Sequence, residues 1–133
     1  METRSLTSFP VLKEDYDLLT TYLRTTPMEL QYDRKLASLL EQQLAGATVL
    51  AHPDFPRDAV RLGSQVVLRN VVARQNDRYT LVLPGRAWKV GQLSVLSRLG
   101  MQTLGARSGE TITVEGPAGK RRYLVCEVTA PHA

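Results

Sequence analysis

The sequence contains few of the residues that carry chemistry in enzymes. Its 133 residues include one cysteine, Cys126, and two histidines, His52 and His132. A lone cysteine cannot form an intramolecular disulfide, and these three residues do not supply the ligands of a zinc site. No Ser–His–acid arrangement and no phosphate-binding Gly-x-x-x-x-Gly-Lys motif can be identified. We therefore expect no catalytic residue, no metal ion, no cofactor and no small-molecule substrate.

Long apolar runs are also missing. No stretch approaches the roughly 18 apolar residues that a membrane-spanning helix needs, and the first residues lack the apolar core of a signal peptide. Because a single cysteine is also typical of a reducing compartment, we expect a cytoplasmic protein without membrane contact. Cys126 alternates with apolar neighbours, which predicts a buried and unreactive thiol.

Charge is distributed unevenly along the chain. Residues 1–56 contain five Lys/Arg and eight Asp/Glu, for a net charge of −3, whereas residues 57–133 contain twelve and five, for +7. The asymmetry indicates either two surfaces with different partners or two solvated faces of one small domain. A basic nucleic-acid-binding domain is an alternative. However, the basic residues are spread over predicted strands and turns without a recognition helix, so we expect at most an indirect contact with nucleic acid.

Two amphipathic helices are predicted in the first third of the chain. The first spans residues 13–24 and carries acidic residues in its first turns, where they complement the helix dipole. The second begins between Met28 and Asp33 and ends near Leu44. Their apolar stripes consist of Leu12, Tyr16, Leu19 and Leu23 in the first helix, and of Tyr32, Leu36, Leu39, Leu40 and Leu44 in the second. Because the link containing Pro27 is short, the helices should form an antiparallel hairpin.

From Arg61 the apolar period changes to two residues. Alternation predicts strands near residues 66–71, 79–83, 110–114 and 123–128, with turns at 74–78 and 116–119. Between them, Ser97 is placed to cap a short helix, and Gly105 and Gly109 supply left-handed positions. The predicted fold class is therefore α+β, with a short antiparallel helical hairpin over residues 1–46 and an antiparallel sheet domain with one short helix over residues 47–133.

The stretch from Gly91 to Gly109 resembles the C-terminal domain of the Gre transcript-cleavage factors and of the related short Rnk-type members (regulator of nucleoside diphosphate kinase). The matching positions are Gly91, Leu93, Ser94, Ser97, Leu99, Gly100, Leu104, Gly105 and Gly109. The segment from Pro117 to Val128 is similar to the closing hairpin of that family, so the resemblance covers roughly Pro53 to Thr129. It implies an FKBP-like domain and bacterial RNA polymerase as the partner.

The resemblance also implies where such a protein would act. The domain would bind the rim of the polymerase secondary channel through Ser97, Arg98, Leu99 and Gly100, although Arg98 stands where the family usually has proline. In Gre factors, acidic residues at the tip of a long coiled coil help to hold a catalytic magnesium ion. Here the hairpin tip has Glu29 and Asp33, whose i, i+4 spacing differs from the Asp-x-x-Glu spacing of the family.

Helix length decides between the roles that the resemblance implies. Arms of about 20 Å are too short for a channel that needs a rod about twice as long, so we expect a non-catalytic regulator that competes with Gre-type factors. A true cleavage factor that uses Glu29 and Asp33 remains an alternative. A prolyl isomerase is a further alternative, but it needs an aromatic-lined pocket, and Phe55, Tyr79, Trp88 and Tyr123 are scattered. The oligomeric state does not follow from the sequence.

Overall fold

The computed structural model describes residues 9–25, 34–87, 89–117 and 119–131. Glu29, Asp33, Trp88 and His132 therefore lie outside the described residues, as does the link of the predicted hairpin. The elements are β1 (Pro10–Leu12), α1 (Lys13–Thr25), α2 (Arg34–Ala45), β2 (Thr48–Leu50), a 3-10 turn (His52–Asp54), β3 (Gln65–Asn70), β4 (Gln75–Val82), β5 (Gln92–Ser94), α3 (Arg98–Thr103), β6 (Thr111–Gly116) and β7 (Gly119–Thr129).

The two long helices pack as a hairpin whose open end is closed by a small sheet. Strands β1 and β2 pair in parallel, from Pro10 opposite Thr48 to Leu12 opposite Leu50. Because β1 leads directly into α1 and β2 follows shortly after α2, this pairing holds the start of α1 beside the end of α2. Short helices are unstable alone in water, and burial of one apolar stripe on each helix supplies the packing that stabilises them.

The larger sheet has the strand order β5-β4-β3-β7-β6. All neighbouring strands are antiparallel except β4 and β5, which are parallel. Because side chains alternate between the two faces of a strand, every second residue points to the inner face of the sheet, where α3 packs. The prediction of an α+β fold is thus confirmed, with one parallel pair added to the antiparallel sheet. The fully buried members of this inner face are Val66, Leu68, Leu81, Ile112 and Val125.

The turn between β3 and β4 begins three residues earlier than predicted. It spans residues 71–74, and the predicted turn residues Gln75 to Arg78 belong to β4. The carboxamide Oδ1 of Asn70 accepts hydrogen bonds from the backbone N–H groups of Val72 and Ala73 at 3.1 and 3.0 Å. This side-chain cap starts the turn at Asn70. Pairing with β3 then keeps the polar residues that follow in an extended conformation.

The prediction that Cys126 is buried is wrong, because β7 contains a β-bulge. Val67 pairs with Glu127, whereas Leu68 pairs with Val125, which leaves Cys126 as the extra residue of β7. A bulge shifts the alternation of the strand by one position. Val125 consequently points into the core, and the Cys126 side chain is exposed.

The helical hairpin and the sheet contribute to one hydrophobic core. Phe9, Leu19 and Leu40 belong to the same cluster of buried residues as Leu68 and Val125 of the sheet. The domain boundary at residues 46 and 47 stays a prediction. None of the helices in the described part of the chain is both long and apolar enough to cross a membrane.

Candidate functional site

The predicted docking residues form a closed turn between β5 and α3, which we call the docking turn (Ser94–Gly100). The hydroxyl of Ser97 donates to the carbonyl oxygen of Ser94 at 2.7 Å and accepts from the backbone N–H of Gly100 at 3.0 Å. The hydroxyl of Ser94 accepts from the N–H of Leu96 at 3.0 Å. The prediction that Ser97 caps the short helix is therefore confirmed. These serine hydrogen bonds all lie within the turn, and the N–H of Val95 joins the turn to β4 by donating to the carbonyl oxygen of Val82 at 2.9 Å.

Gly100 leaves room for this closure. A Cβ atom at this position would lie 1.9 Å from the carbonyl oxygen of Ser94 and 2.9 Å from the hydroxyl of Ser97. The obstructing oxygen belongs to the backbone, so it cannot move aside as a flexible side chain could. Gly100 is therefore required for the docking turn to approach the end of β5 so closely.

Arg98 is the one exposed residue of the docking turn. It occupies the first position of α3, while Ser97 and Leu99 are half-buried and Gly100 is buried. The first position of a helix accepts proline readily because its N–H is not used by the helix, and arginine takes the same place here. Its guanidinium group approaches the carbonyl oxygen of Glu115 at 3.4 Å. The turn is thus retained with arginine instead of proline, and a positive charge is added to its surface.

A groove of about 510 Å³ continues the surface from Arg98 towards the helical hairpin. It lies between α2, α3 and β6, and the Gln43 side chain bridges it by donating to the carbonyl oxygen of Met101 at 2.6 Å. Sequence reasoning missed this groove because its walls come from three distant segments that only the fold brings together. Its lining consists of Leu39, Gln42, Gln43, Arg98, Met101, Gln102, Ile112, Thr113, Val114 and Glu115.

A buried carboxylate joins the helical hairpin to the segment that precedes β3. Asp15 of α1 is only 2% exposed, and its Oδ2 accepts a hydrogen bond from the backbone N–H of Leu62 at 2.8 Å. Burial raises the pKa of the Asp15 carboxyl, while the Leu62 N–H and the nearby charge of Arg61 act in the opposite direction. Glu14 adds a smaller upward contribution to the same pKa. In the sequence, Asp15 is one of the acidic residues in the first turns of α1 that complement the helix dipole. Nothing in the sequence indicates its tertiary contact with Leu62.

The hairpin tip residues Glu29 and Asp33 cannot be placed, because they lie outside the described residues. The described arms of the hairpin are short. Helix α1 has 13 residues and α2 has 12, and the start of α1 is held beside the end of α2. At about 1.5 Å per helical residue, the two arms are about 20 and 18 Å long.

The described residues were compared with the side-chain clusters that hold metal ions. No group of three or more His, Cys, Asp or Glu side chains in those ranges is arranged to hold a metal ion. His52 begins the 3-10 turn, and its Nε2 lies 3.5 Å from Nη1 of Arg61.

Comparison with known proteins places this fold in a family. A sequence model described as "Transcription elongation factor, GreA/GreB, C-term" matches residues 55–130, which is more than half of the chain. The protein belongs to the GreA/GreB family. The matched range contains the docking turn and all five strands of the larger sheet. The predicted resemblance, inferred for roughly Pro53 to Thr129, is thereby confirmed.

Several curated relatives support this membership. GreA of Thermotoga neapolitana is 35% identical over 91 residues, which is 68% of this chain and 58% of that protein. GreA of Amoebophilus asiaticus is 31% identical over 98 residues, covering 73% of this chain and 62% of that protein. The chain therefore spans less than two thirds of the length of the curated relatives it matches.

A solved structure extends the similarity to the helical hairpin. The GreA/GreB elongation factor from Nitrosomonas europaea is 26% identical, with a TM-score of 0.73, and the superposition covers 92% of this chain and 98% of that one. Gfh1 of Thermus aquaticus, at 20% identity and a TM-score of 0.50, shares the fold alone. A chain of similar extent in the family thus has the same arrangement of hairpin and sheet.

Proposed function

We propose that this protein is a non-catalytic regulator of bacterial transcription, close to the short Rnk-type members. It binds RNA polymerase at the rim of the secondary channel and competes there with Gre-type factors. It acts by occupying the site, and it needs no active site, cofactor or metal ion of its own. Binding to the polymerase would also place its action in the cytoplasm.

The docking turn carries this proposal. It lies within the part of the chain that matches the GreA/GreB model, and its closure by Ser94, Ser97 and Gly100 gives a surface with one defined shape. A preorganised turn loses little conformational freedom on binding, so more of its contact energy appears as affinity. Arg98 adds an exposed cation at the centre of that surface.

The short hairpin supports a role without catalysis. The described arms, α1 and α2, are about 20 Å long, roughly half the rod length that the Gre mechanism implies, so we expect carboxylates on this hairpin to stop short of a distant magnesium ion. A hairpin of this length can still obstruct the channel entrance.

Competition for core polymerase tests the proposal. Purified protein is titrated against core RNA polymerase, with and without a Gre factor, and binding is followed by the anisotropy of a label on the protein. We expect micromolar or tighter binding that the Gre factor displaces. Arg98→Ala should weaken binding about tenfold, whereas Arg57→Ala, which removes an exposed arginine outside the docking turn, should leave it unchanged. Absence of binding at micromolar concentrations would disprove the proposal.

Family membership favours a cleavage factor as the second candidate. That function predicts shortened transcripts when the protein is added to stalled elongation complexes, and loss of the shortening in Glu29→Ala and Asp33→Ala. The regulator proposed here predicts no shortening, together with less shortening when it is mixed with a Gre factor. The two outcomes are read from the same gel.

A further inference from the structure

The outer face of the larger sheet carries most of the basic residues of its three central strands. Inward-facing residues such as Leu68 and Val125 are buried, so their neighbours along β3, β4 and β7 point to the opposite side. Helix α3 packs on the inner side, against β6 and β5. The outward-facing basic side chains are therefore available to a partner.

Strand register places three of these arginines on one diagonal, which we call the arginine stripe (Arg78, Arg69 and Arg122). Arg78 of β4 is opposite Val67 of β3, and Arg69 follows two residues later in β3. Arg69 is opposite Leu124 of β7, and Arg122 is two residues beyond Leu124 in the same direction. Each step crosses one strand, about 4.8 Å, and two residues, about 6.8 Å, so successive Cα atoms are about 8 Å apart. That separation is comparable to the distance between neighbouring phosphates on one nucleic-acid strand.

The positive charge of the stripe is not neutralised within the described residues. In those ranges no ion pair involves Arg69, Arg78 or Arg122, and Nη1 of Arg69 is held by Oδ1 of Asn76 at 3.0 Å. The exposed Arg74 extends the positive surface at the turn that follows β3. Glu127 is the nearest outward-facing acid, opposite Val67. Glu115, which is farther from the stripe, forms an ion pair with Lys120, with 3.6 Å between Oε1 and Nζ.

We propose that the arginine stripe binds the phosphate backbone of double-stranded DNA. Guanidinium groups recognise phosphates through paired hydrogen bonds, and a row of cations at phosphate spacing suits a backbone. A single strand would be held mainly by stacking on aromatic rings. None of the described outward-facing neighbours of the stripe is aromatic; they are Val67, Asn76, Thr80, Thr113 and Leu124. The binding is independent of base sequence and separate from the docking turn, which leaves both surfaces usable together.

Binding of the whole chain to a labelled 20-base-pair duplex tests this inference without polymerase. Anisotropy is recorded from 25 to 200 mM salt for the wild type, for Arg78→Gln/Arg122→Gln, and for a control of equal charge, Arg57→Gln/Arg86→Gln. Each phosphate contact contributes about 0.9 to the slope of log K against log salt. The stripe variant should lose about two units of slope and at least tenfold in affinity at the lowest salt concentration, and the control should lose neither. Circular dichroism checks that both variants remain folded.

Other results of the same titration would overturn the inference. Equal losses in the stripe and control variants would mean that only net charge matters. Tighter binding to a single-stranded RNA of the same length, reduced by the same substitutions, would assign the stripe to RNA instead of duplex DNA. Absence of duplex binding at 25 mM salt would disprove the proposal that the arginine stripe binds DNA. Glu127→Gln provides an independent check, because loss of the nearest acid should tighten duplex binding severalfold.

Discussion

The helical hairpin and the docking turn are stabilised by different kinds of interaction. The hairpin depends on apolar side chains such as Leu19 and Leu40, which are buried against residues far away in sequence. The docking turn depends on hydrogen bonds and a steric limit within seven consecutive residues, Ser94 to Gly100. We therefore expect the hairpin to be destabilised by substitutions that remove side-chain volume, and the docking turn by substitutions that add it. This contrast predicts which substitutions each region tolerates.

The largest effect is expected from Leu40→Ala in α2. Leu40 is fully buried, so the substitution removes apolar contacts and leaves a cavity, which typically costs about 4 kcal/mol. Urea denaturation followed by circular dichroism measures the change in the free energy of unfolding. Leu39→Ala, one residue earlier and 38% exposed, is the control and should cost about 1 kcal/mol. Equal losses would show that the hairpin does not depend on its buried stripe.

Gly100→Ala should be nearly as damaging although it adds a single methyl group. The new Cβ would lie 1.9 Å from a backbone oxygen, so the turn has to open at a cost of about 3 kcal/mol. Gly109→Ala is the control, because it adds the same methyl group where nothing lies within 4 Å of the new Cβ. Gly109 has a φ of 92°, whereas Gly100 is a helical residue without a positive φ, so the control variant should be destabilised only by backbone conformation, by about 1 kcal/mol. If the two alanine variants lose equal stability, the close approach to Ser94 does not explain the glycine at position 100.

A smaller effect is expected at Asp15, which joins the helical hairpin to the segment that precedes β3. Asp15→Ala leaves the buried N–H of Leu62 without its acceptor, which costs about 2 kcal/mol. Asp15→Asn keeps an acceptor oxygen of the same shape and should lose less. The difference between the two variants in urea denaturation measures the hydrogen bond separately from side-chain packing.

Comparison of the wild type with Asp15→Asn tests how the free energy of unfolding depends on pH, and the sign of this dependence can be predicted. Burial raises the pKa of Asp15 in the folded protein above its ordinary value of 3.8. Between the two pKa values the folded chain binds more protons than the unfolded one, so this group's contribution to the free energy of unfolding falls as pH rises. The asparagine variant lacks that titration. Its stability relative to wild type should therefore increase with pH through this window and then level off, and a difference independent of pH would contradict the raised pKa.

The smallest effect concerns Cys126 at the bulge of β7. Because the side chain is exposed, Cys126→Ser should change the free energy of unfolding by less than about 0.5 kcal/mol. The wild-type thiol should also react with a chromogenic disulfide reagent in the folded protein at a rate close to that in urea. A reaction limited by unfolding would mean that the thiol is buried, as the alternation in the sequence had suggested.

Local signals were sufficient for the docking turn and insufficient for the sheet. Ser97 and Gly105 could be assigned from sequence because capping and left-handed conformations depend on neighbours within a few residues. The β3–β4 turn was misplaced because Asn70 competes with Asn76 and Asp77, and pairing with β3 decides between them. Cys126 was misplaced because a bulge changes the alternation without any mark in the sequence.

The sequence by itself determined the amphipathic helices, the capped turn and the membership of the GreA/GreB family, because each depends on residue types at short, regular spacing. Only the tertiary structure decided that Asp15 is buried against Leu62, that a groove lies between α2, α3 and β6, and that three arginines share one diagonal. These features depend on strand register and on contacts between residues as many as 58 positions apart. Side-chain periodicity indicates which face of a strand is apolar, but register between strands is set by packing of the whole core.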